Sequence, residues 1–339
     1  MKQARVGIIG AGGICGHVHL PSLSEIEEAN IVAICDLRLE KAQEKAAKYN
    51  IPGVYWNMYE MIEKDDLDCI FVLVEPDRLY RVAQDCLRAG IPIIMEKPAG
   101  TSAHQSNALA RLSKELGVMC AVAMNRRHIP VVQEVKRIMS ELTTVTQVDG
   151  CFMKYTNLEK EWRYMCAFDC DGIHALDLVR YLAGAEATEC KAISAHLGGC
   201  AVENAWSGLM KFENGCIGTI RSSYNAAARI HQFEMHGDKA SAFINLGFGA
   251  DQCEARIICR EGGESMYSMA AGGVSNGQEL YISGRELAKT ENYYAYYGYK
   301  QEDQDFIRAV LNGTKPLCTI EDAAKSMELC EQIHAATLI

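Results

Sequence analysis

One ten-residue stretch constrains the fold of this chain more than any other. GIIGAGGICG (Gly7–Gly16) continues the apolar strand-like run RVGIIGA and leads into a helical pattern, GHVHLPSLSEI. Gly10 and Gly12 occupy the first two positions of G-x-G-x-x-G/A, and Cys15 takes the third, small position with Gly16 beside it. The spacing suits a tight turn, a close backbone approach to a pyrophosphate and a helix N-terminus aimed at it. A glycine pattern alone is weak, but the strand–turn–helix context is the one that dinucleotide binding requires. Asp36 ends the next strand-like run, IVAICD, twenty residues after Gly16. An acidic side chain there can bind both ribose hydroxyls and repel a 2′-phosphate, so NAD is expected over NADP; Arg38, two residues on, leaves some room for NADP. Gly10, Gly12, Gly13, Ile14, Cys15, Asp36 and Arg38 are therefore cofactor candidates.

The rhythm around this turn continues for the first third of the chain. ANIVAICD, LDCIFVLV, IPIIMEK and VMCAVAM read as further strands, separated by the helical patterns LRLEKAQEKAAKYN, DRLYRVAQDCLRAG and SAHQSNALARLSKELG. Continuously apolar strands alternating with helices predict a parallel sheet covered on both faces. After Met124 the rhythm changes. One helix, IPVVQEVKRIMSEL, precedes long alternating stretches: TQVDGCFMKY, NAWSGLMKFENGCIGTIRSSY and IHQFEMHGDKASAFINL. Turn signals at Glu213-Asn214-Gly215 and Gly237-Asp238 predict hairpins of a mostly antiparallel sheet. Two helices follow, around EDQDFIRAVLNG and EDAAKSMELCEQIHAATL, and GGESMYSMAAGGVSNGQ reads as a flexible loop. The reading is an α/β chain cut into two domains, 1–123 and 124–339.

Composition removes several classes. A net charge of −10 with no basic stripe argues against a nucleic-acid partner. No apolar run reaches membrane-spanning length, and the glycine-broken start does not resemble a signal peptide. The fifteen cysteines are scattered without a CxxC pair, and many sit in strand-like apolar runs. That pattern fits buried thiols in a reducing cytoplasm, not a disulfide framework or structural zinc.

The stretch FDCDGIHALDLVRYLAG (Phe168–Gly184) concentrates Asp169, Asp171, His174 and Asp177 before an apolar helical pattern. No metal is expected here, because spacings of three drift around a helix and Asp171, His174 and Asp177 would not all converge. A second candidate is Lys97, at the C-terminal end of the strand IPIIMEK. Such a residue points into the ligand crevice of a parallel sheet, where a cation can stabilise an incipient alkoxide.

Taken together, GIIGAGGICG, EKPAG (Glu96–Gly100), MNRRHIP (Met124–Pro130), GIHALD (Gly172–Asp177) and LNGTKP (Leu311–Pro316) resemble the Gfo/Idh/MocA oxidoreductases. Their order covers nearly the whole chain. The resemblance implies a Rossmann domain followed by an α/β domain with an open, mostly antiparallel sheet for substrate binding and oligomerisation. It also implies hydride exchange between NAD(P) and a hydroxyl-bearing carbon of a sugar, polyol or related compound, in homo-oligomers packed through the open sheet, as dimers or tetramers. Lys97 matches the lysine that bonds the reacting hydroxyl and contacts the nicotinamide ribose. His174 matches the substrate-pocket histidine, where a neutral imidazole can take and return the hydroxyl proton. Arg127 aligns with a pocket arginine, and Trp162-Arg163 with a W-R pair near the nicotinamide. Tyr155 is counted as a further substrate candidate, and Glu75, Pro76, Glu96 and Asn125 as further cofactor candidates.

Two departures stand out. The family aspartate four residues before the histidine is Cys170, while Asp171 sits three before; these positions share a helix face, so Asp171 can substitute. The usual T-P-x-x-x-H reads EPDRLY, with Glu75 for the small polar residue and Tyr80 for the histidine. His17 and His19 read as packing or polar-face residues, and YYAYYGY (Tyr293–Tyr299) as an interface or a loop over the cleft. Besides the dehydrogenase reading, two others fit the fold: a redox-assisted lyase or glycosidase that recycles tightly bound NAD, and a non-catalytic dinucleotide-binding regulator.

Overall fold

A computed structural model describes residues 2–158, 165–260 and 278–337. Trp162, Arg163 and residues 262–277, where the sequence predicts a flexible loop, lie outside the described residues. The chain forms two compact units, each assembled from separated segments. The first takes residues up to His128, a short segment ending at His174, and Tyr293–Gln332; the second takes residues from Ile129, then Ala175–Asn292, and the chain from Ile333. The sequence pattern predicts a single cut at 124 instead. The difference is that the short segment ending at His174 and Tyr293–Gln332 return to the first unit, the latter for reasons of apolar burial given below.

The first unit is built on six parallel strands in the order β3-β2-β1-β4-β5-β6: β1 (Ala4–Ile9), β2 (Ala29–Cys35), β3 (Gly53–Tyr55), β4 (Cys69–Val72), β5 (Ile93–Met95) and β6 (Cys120–Val122). This is the doubly wound order whose direction reverses beside β1, and ligands bind outside the carboxyl ends of the strands at that switch. Five of the six strands are the expected ones. The added β3 is three half-buried residues long, too short to show a period. Helices α2 (Leu39–Tyr49), α4 (Pro76–Arg88) and α5 (Ala103–Leu116) fall on the expected patterns, and α3 (Met58–Lys64) is an addition. Ser102 caps α5 by accepting from Gln105 N–H, and Gly117 ends it in the left-handed region at φ 66°.

The expected first helix splits. A π turn (Cys15–His19) precedes α1 (Leu20–Ser24). The C-terminal helices α10 (Tyr299–Asn312) and α11 (Ile320–Ala335) follow the short helices α8 (Gly284–Ala288) and α9 (Tyr293–Tyr296). Phe306 and Ile307 of α10 belong to the same buried cluster as Val6, Ile8 and Phe71 of β1 and β4. Between the two helices Cys318 O accepts from Val122 N–H at 3.1 Å, covering the edge of β6. These contacts place the late segment in the first unit.

The second unit carries an eight-stranded sheet in the order β14-β13-β12-β11-β7-β10-β9-β8. Its strands are β7 (Val145–Tyr155), β8 (Ala187–Ala195), β9 (Ala205–Phe212), β10 (Ile217–Ser223), β11 (Asn225–Gly237), β12 (Ala240–Leu246), β13 (Cys253–Cys259) and β14 (Glu279–Ser283). Every neighbouring pair is antiparallel except β7 and β10. The hairpins turn where expected, at Asn214-Gly215 and Gly237-Asp238. Burial alternates along β9 and β12, so one face is packed. The other face exposes Ile193, Leu209 and Ile217. Helix α6 (Pro130–Leu142) packs on β12 and β13.

Helix α7 (Ile173–Ala183) seats on the sheet through glycine. A Cβ at Gly150 of β7 would lie 2.6 Å from Val179 Cγ2 and 3.1 Å from Ile220 Cδ1. Gly150→Ala should therefore destabilise the protein by about 1–3 kcal/mol through overpacking. Urea unfolding measures this, and an unchanged midpoint would contradict the packing described.

Candidate active site on the dinucleotide-binding unit

The phosphate turn has the geometry its glycines foretell. Gly10 sits at φ 103°, donates its N–H to Cys35 O at 2.8 Å, and has Leu73 O only 2.2 Å from where a Cβ would stand. No larger residue fits there. Nothing lies within 4 Å of a Cβ built on Gly12, and Gly13 is exposed, so the turn is open to a ligand's close approach. Ile14 is half-buried and Cys15 fully buried, its thiol pushed up to about 12 by burial. Asp36 follows β2, with Oδ2 accepting from Ala11 N–H and Oδ1 from Arg38 N–H, each at 2.8 Å. Its carboxylate thus braces the turn from the end of β2. Arg38 is exposed. Glu75 is the exposed N-cap of α4, and Pro76 is that helix's first residue. An open glycine turn at the switch point beside an acidic strand end fits a dinucleotide.

The E-K-P loop leaves β5 at the same end of the sheet, with Glu96 N–H bonded to Val72 O at 3.0 Å. Lys97 does not pair with its neighbour Glu96. Its ammonium donates to the Cys170 carbonyl at 2.8 Å. That carbonyl belongs to a second π turn, Phe168–Gly172, which runs directly into α7. Single π turns are rare and recur at functional sites. The bond joins Lys97 to the segment that carries Asp171, half-buried, and His174, buried. Burial raises the Cys170 thiol to about 11, with Lys97 opposing the shift. At this position the chain offers Lys97 a backbone carbonyl.

The remaining described candidates make other contacts. Asn125 is buried and its Nδ2 donates to Tyr297 O at 2.9 Å. Arg127 is buried and ion-paired with Asp322 of α11. His128 beside it is pushed down to about 3 by burial and then by the Arg127 charge. Tyr155, at the end of β7 in the second unit, is exposed. Within the tyrosine run, Tyr293 stacks on Tyr297 at 5.1 Å and tilts against Tyr299 at 5.7 Å.

His19 is the residue whose importance the sequence hides. Its ring is fully buried, with Nδ1 2.9 Å from Asp303 Oδ1 and Nε2 3.3 Å from Glu96 Oε1. Ser22 donates to the other Asp303 oxygen. Burial alone would push His19 down; the Asp303 charge and bond, then Glu96, outweigh it and hold the ring well above its ordinary value. Burial likewise pushes Glu96 up, but His19 and Lys97 more than offset it and keep Glu96 below the usual carboxylate range. Glu302, next to Asp303, is the opposite case. It is buried, and neither carboxyl oxygen meets a hydrogen-bond donor among the described residues. Burial, then the Asp303 charge, raises it well above its ordinary value. One signal was available: Tyr299, Glu302/Asp303, Phe306 and Ala309/Val310 share one stripe of α10, which puts the acidic pair on its apolar face.

An open phosphate turn, an acidic residue at the end of β2 and a lysine at the end of β5 define a dinucleotide-dependent oxidoreductase. Comparisons narrow the class. Residues 4–124 match the family model for an oxidoreductase family with an NAD-binding Rossmann fold, and residues 132–243 match the GFO/IDH/MocA C-terminal domain. The chain belongs to the Gfo/Idh/MocA family of oxidoreductases. It is 29% identical to an uncharacterised oxidoreductase, YrbE, of Bacillus subtilis over 71% of this chain and 73% of that protein. It is 28% identical to D-glucoside 3-dehydrogenase of Escherichia coli over 71% of this chain and 76% of that enzyme. The structure of UDP-N-acetylglucosamine 3-dehydrogenase from Acidithiobacillus ferrooxidans superposes with a TM-score of 0.82 at 18% identity, covering 99% of this chain and 98% of that one, and shares the fold.

The state of Glu302 predicts a pH-dependent stability. Its pKa is higher folded than unfolded. The folded state therefore retains a proton that the unfolded chain releases above the ordinary carboxylate range, so this group subtracts stability as pH rises. Glu302→Gln keeps the shape and removes the penalty. The variant should match wild type near pH 4 and melt higher, by roughly 2–4 °C for each kcal/mol regained, near pH 8. A variant less stable than wild type near pH 8 would show that Glu302 is ionised in the fold.

Proposed function

We propose that this protein exchanges a hydride between NAD(H) and a hydroxyl-bearing carbon of a sugar, polyol or glycoside, with Lys97 and His174 handling the hydroxyl proton. The observation that carries the reading is the bond from Lys97 Nζ to Cys170 O. It sets the E-K-P lysine against the segment bearing Asp171 and His174. The glycoside and sugar-nucleotide dehydrogenases among its relatives support this substrate class.

Bound NAD supplies the hydride acceptor. In the oxidation direction the substrate loses a hydride from carbon and a proton from oxygen, leaving a carbonyl. The Lys97 ammonium has one N–H committed to Cys170 O. Its remaining N–H groups would bond the substrate oxygen and stabilise negative charge as the proton leaves. His174 would accept that proton and return it on reduction. Asp171 would take the role of the family aspartate, orienting the imidazole from one turn earlier. Asp36 supports NAD over NADP, because a carboxylate there opposes a 2′-phosphate. Fifteen free thiols, most of them buried, support a reducing cytoplasm. The exposed Ile193, Leu209 and Ile217 on the open sheet face support self-association through the second unit.

The test incubates pure protein with NAD and a panel of polyols, aldoses and glycosides while following reduced cofactor. Wild type should form NADH with at least one of them. Lys97→Ala and His174→Ala should each lower kcat by about 10²–10⁴-fold, the usual worth of a positioned acid or base. Products that appear without NADH would shift the reading to a redox-assisted lyase or glycosidase. Turnover unaffected by both substitutions would exclude these residues from the chemistry.

A further inference from the structure

We infer that His19 is a positioning residue for Lys97: by engaging the Glu96 carboxylate, it leaves the Lys97 ammonium to the Cys170 carbonyl and to substrate. The inference rests on Lys97 acting as proposed above. An ammonium beside a half-buried carboxylate in the next residue would ordinarily close on it, since opposite charges attract more strongly where water is scarce. Here they stay apart. Glu96 Oε1 is taken by His19 Nε2 at 3.3 Å, Glu96 Oε2 by the Lys97 backbone N–H at 3.2 Å, and Lys97 Nζ reaches Cys170 O at 2.8 Å.

The imidazole can do this only while it carries both ring protons. A carboxylate stands at each nitrogen, and an ionised carboxylate can only accept. Asp303 fixes the far side of the ring at 2.9 Å and is itself held by Ser22. Phe71 and Tyr299 close edge-on around the imidazole at 5.8 and 6.1 Å between ring centres. The ionisable groups facing His19 are thus Asp303, Glu302 and Tyr299 on α10 and Glu96 after β5. Glu302, with no donor among the described residues and raised well above its ordinary value, adds no second negative charge from α10.

Removing the imidazolium should free Glu96 to capture Lys97. His19→Gln in the full chain is expected to lower kcat on the order of tenfold or more, while the NAD dissociation constant changes by less than about twofold. Adding Glu96→Gln removes the competing carboxylate, so the double variant should recover several-fold in kcat over His19→Gln alone. A role in packing alone would make the double variant no better than the single one. Asp303→Asn supplies an independent reading should His19→Gln fail to fold. Without the Asp303 charge, burial dominates and His19 loses its proton as pH rises. In this variant kcat should be near wild type at low pH and acquire a falling limb toward high pH that wild type lacks. The inference is overturned if His19→Gln keeps wild-type kcat, if the double variant is no better than the single, or if Asp303→Asn keeps a wild-type pH profile. Lys97→Ala separates the two claims. If it is inactive while the His19 and Asp303 variants are normal, the positioning role alone falls; if it is fully active, the proposed function and this inference fall together.

Discussion

A charged imidazole buried against the parallel sheet is the interaction on which the rest of the first unit depends. His19 comes from the π turn after the glycine motif, Glu96 from the end of β5, and Asp303 from α10. They are adjacent in space and separated by up to 284 residues in sequence. Burying a charge is costly unless its partners are in place, and removing one partner of such a set is far worse than removing all of them. Each of these contacts therefore favours the other two. This binds the late helix α10 to the phosphate turn more specifically than the apolar contact of Phe306 with β1 and β4 could.

That arrangement orders the chemistry around it. With Glu96 engaged, Lys97 projects to the π turn at Phe168–Gly172, the segment in which the chain departs from the family pattern at Cys170. The lysine's bond there goes to the backbone, which any residue supplies, and the side chain of Cys170 is a small buried group beside Asp171. Asp36 likewise braces the glycine turn, its oxygens accepting from Ala11 and Arg38 N–H.

Long-period features were legible in the sequence and local exceptions were not. The glycine turn, the parallel strands and the hairpins at Asn214 and Gly237 follow from periodicity and turn chemistry, which depend on neighbours a few residues away. β3 escaped because three half-buried residues carry no period. The two π turns escaped because one added residue per turn leaves the apolar pattern nearly intact. Membership of Tyr293–Gln332 in the first unit depends on where α10 buries its stripe, a tertiary fact. Arg127 and His19 show the same limit for single residues. A basic residue after a strand can serve a ligand or an ion pair, and Asp322, nearly two hundred residues later, takes Arg127 into an ion pair. His19 looked like an ordinary helix histidine until Asp303 was placed against it. The acidic pair on the apolar stripe of α10 was the trace in the sequence that a buried cation awaited it.

The protonation of His19 decides whether Glu96 is held away from Lys97 in this way. Nitrogen-15 NMR of the ring in the intact protein reads it without knowledge of the substrate. At about pH 8, well above the ordinary histidine range, two protonated, slowly exchanging ring nitrogens are expected on His19. A neutral ring with one bare nitrogen at that pH would contradict that arrangement, since one of the two carboxylates would then have to hold the missing proton.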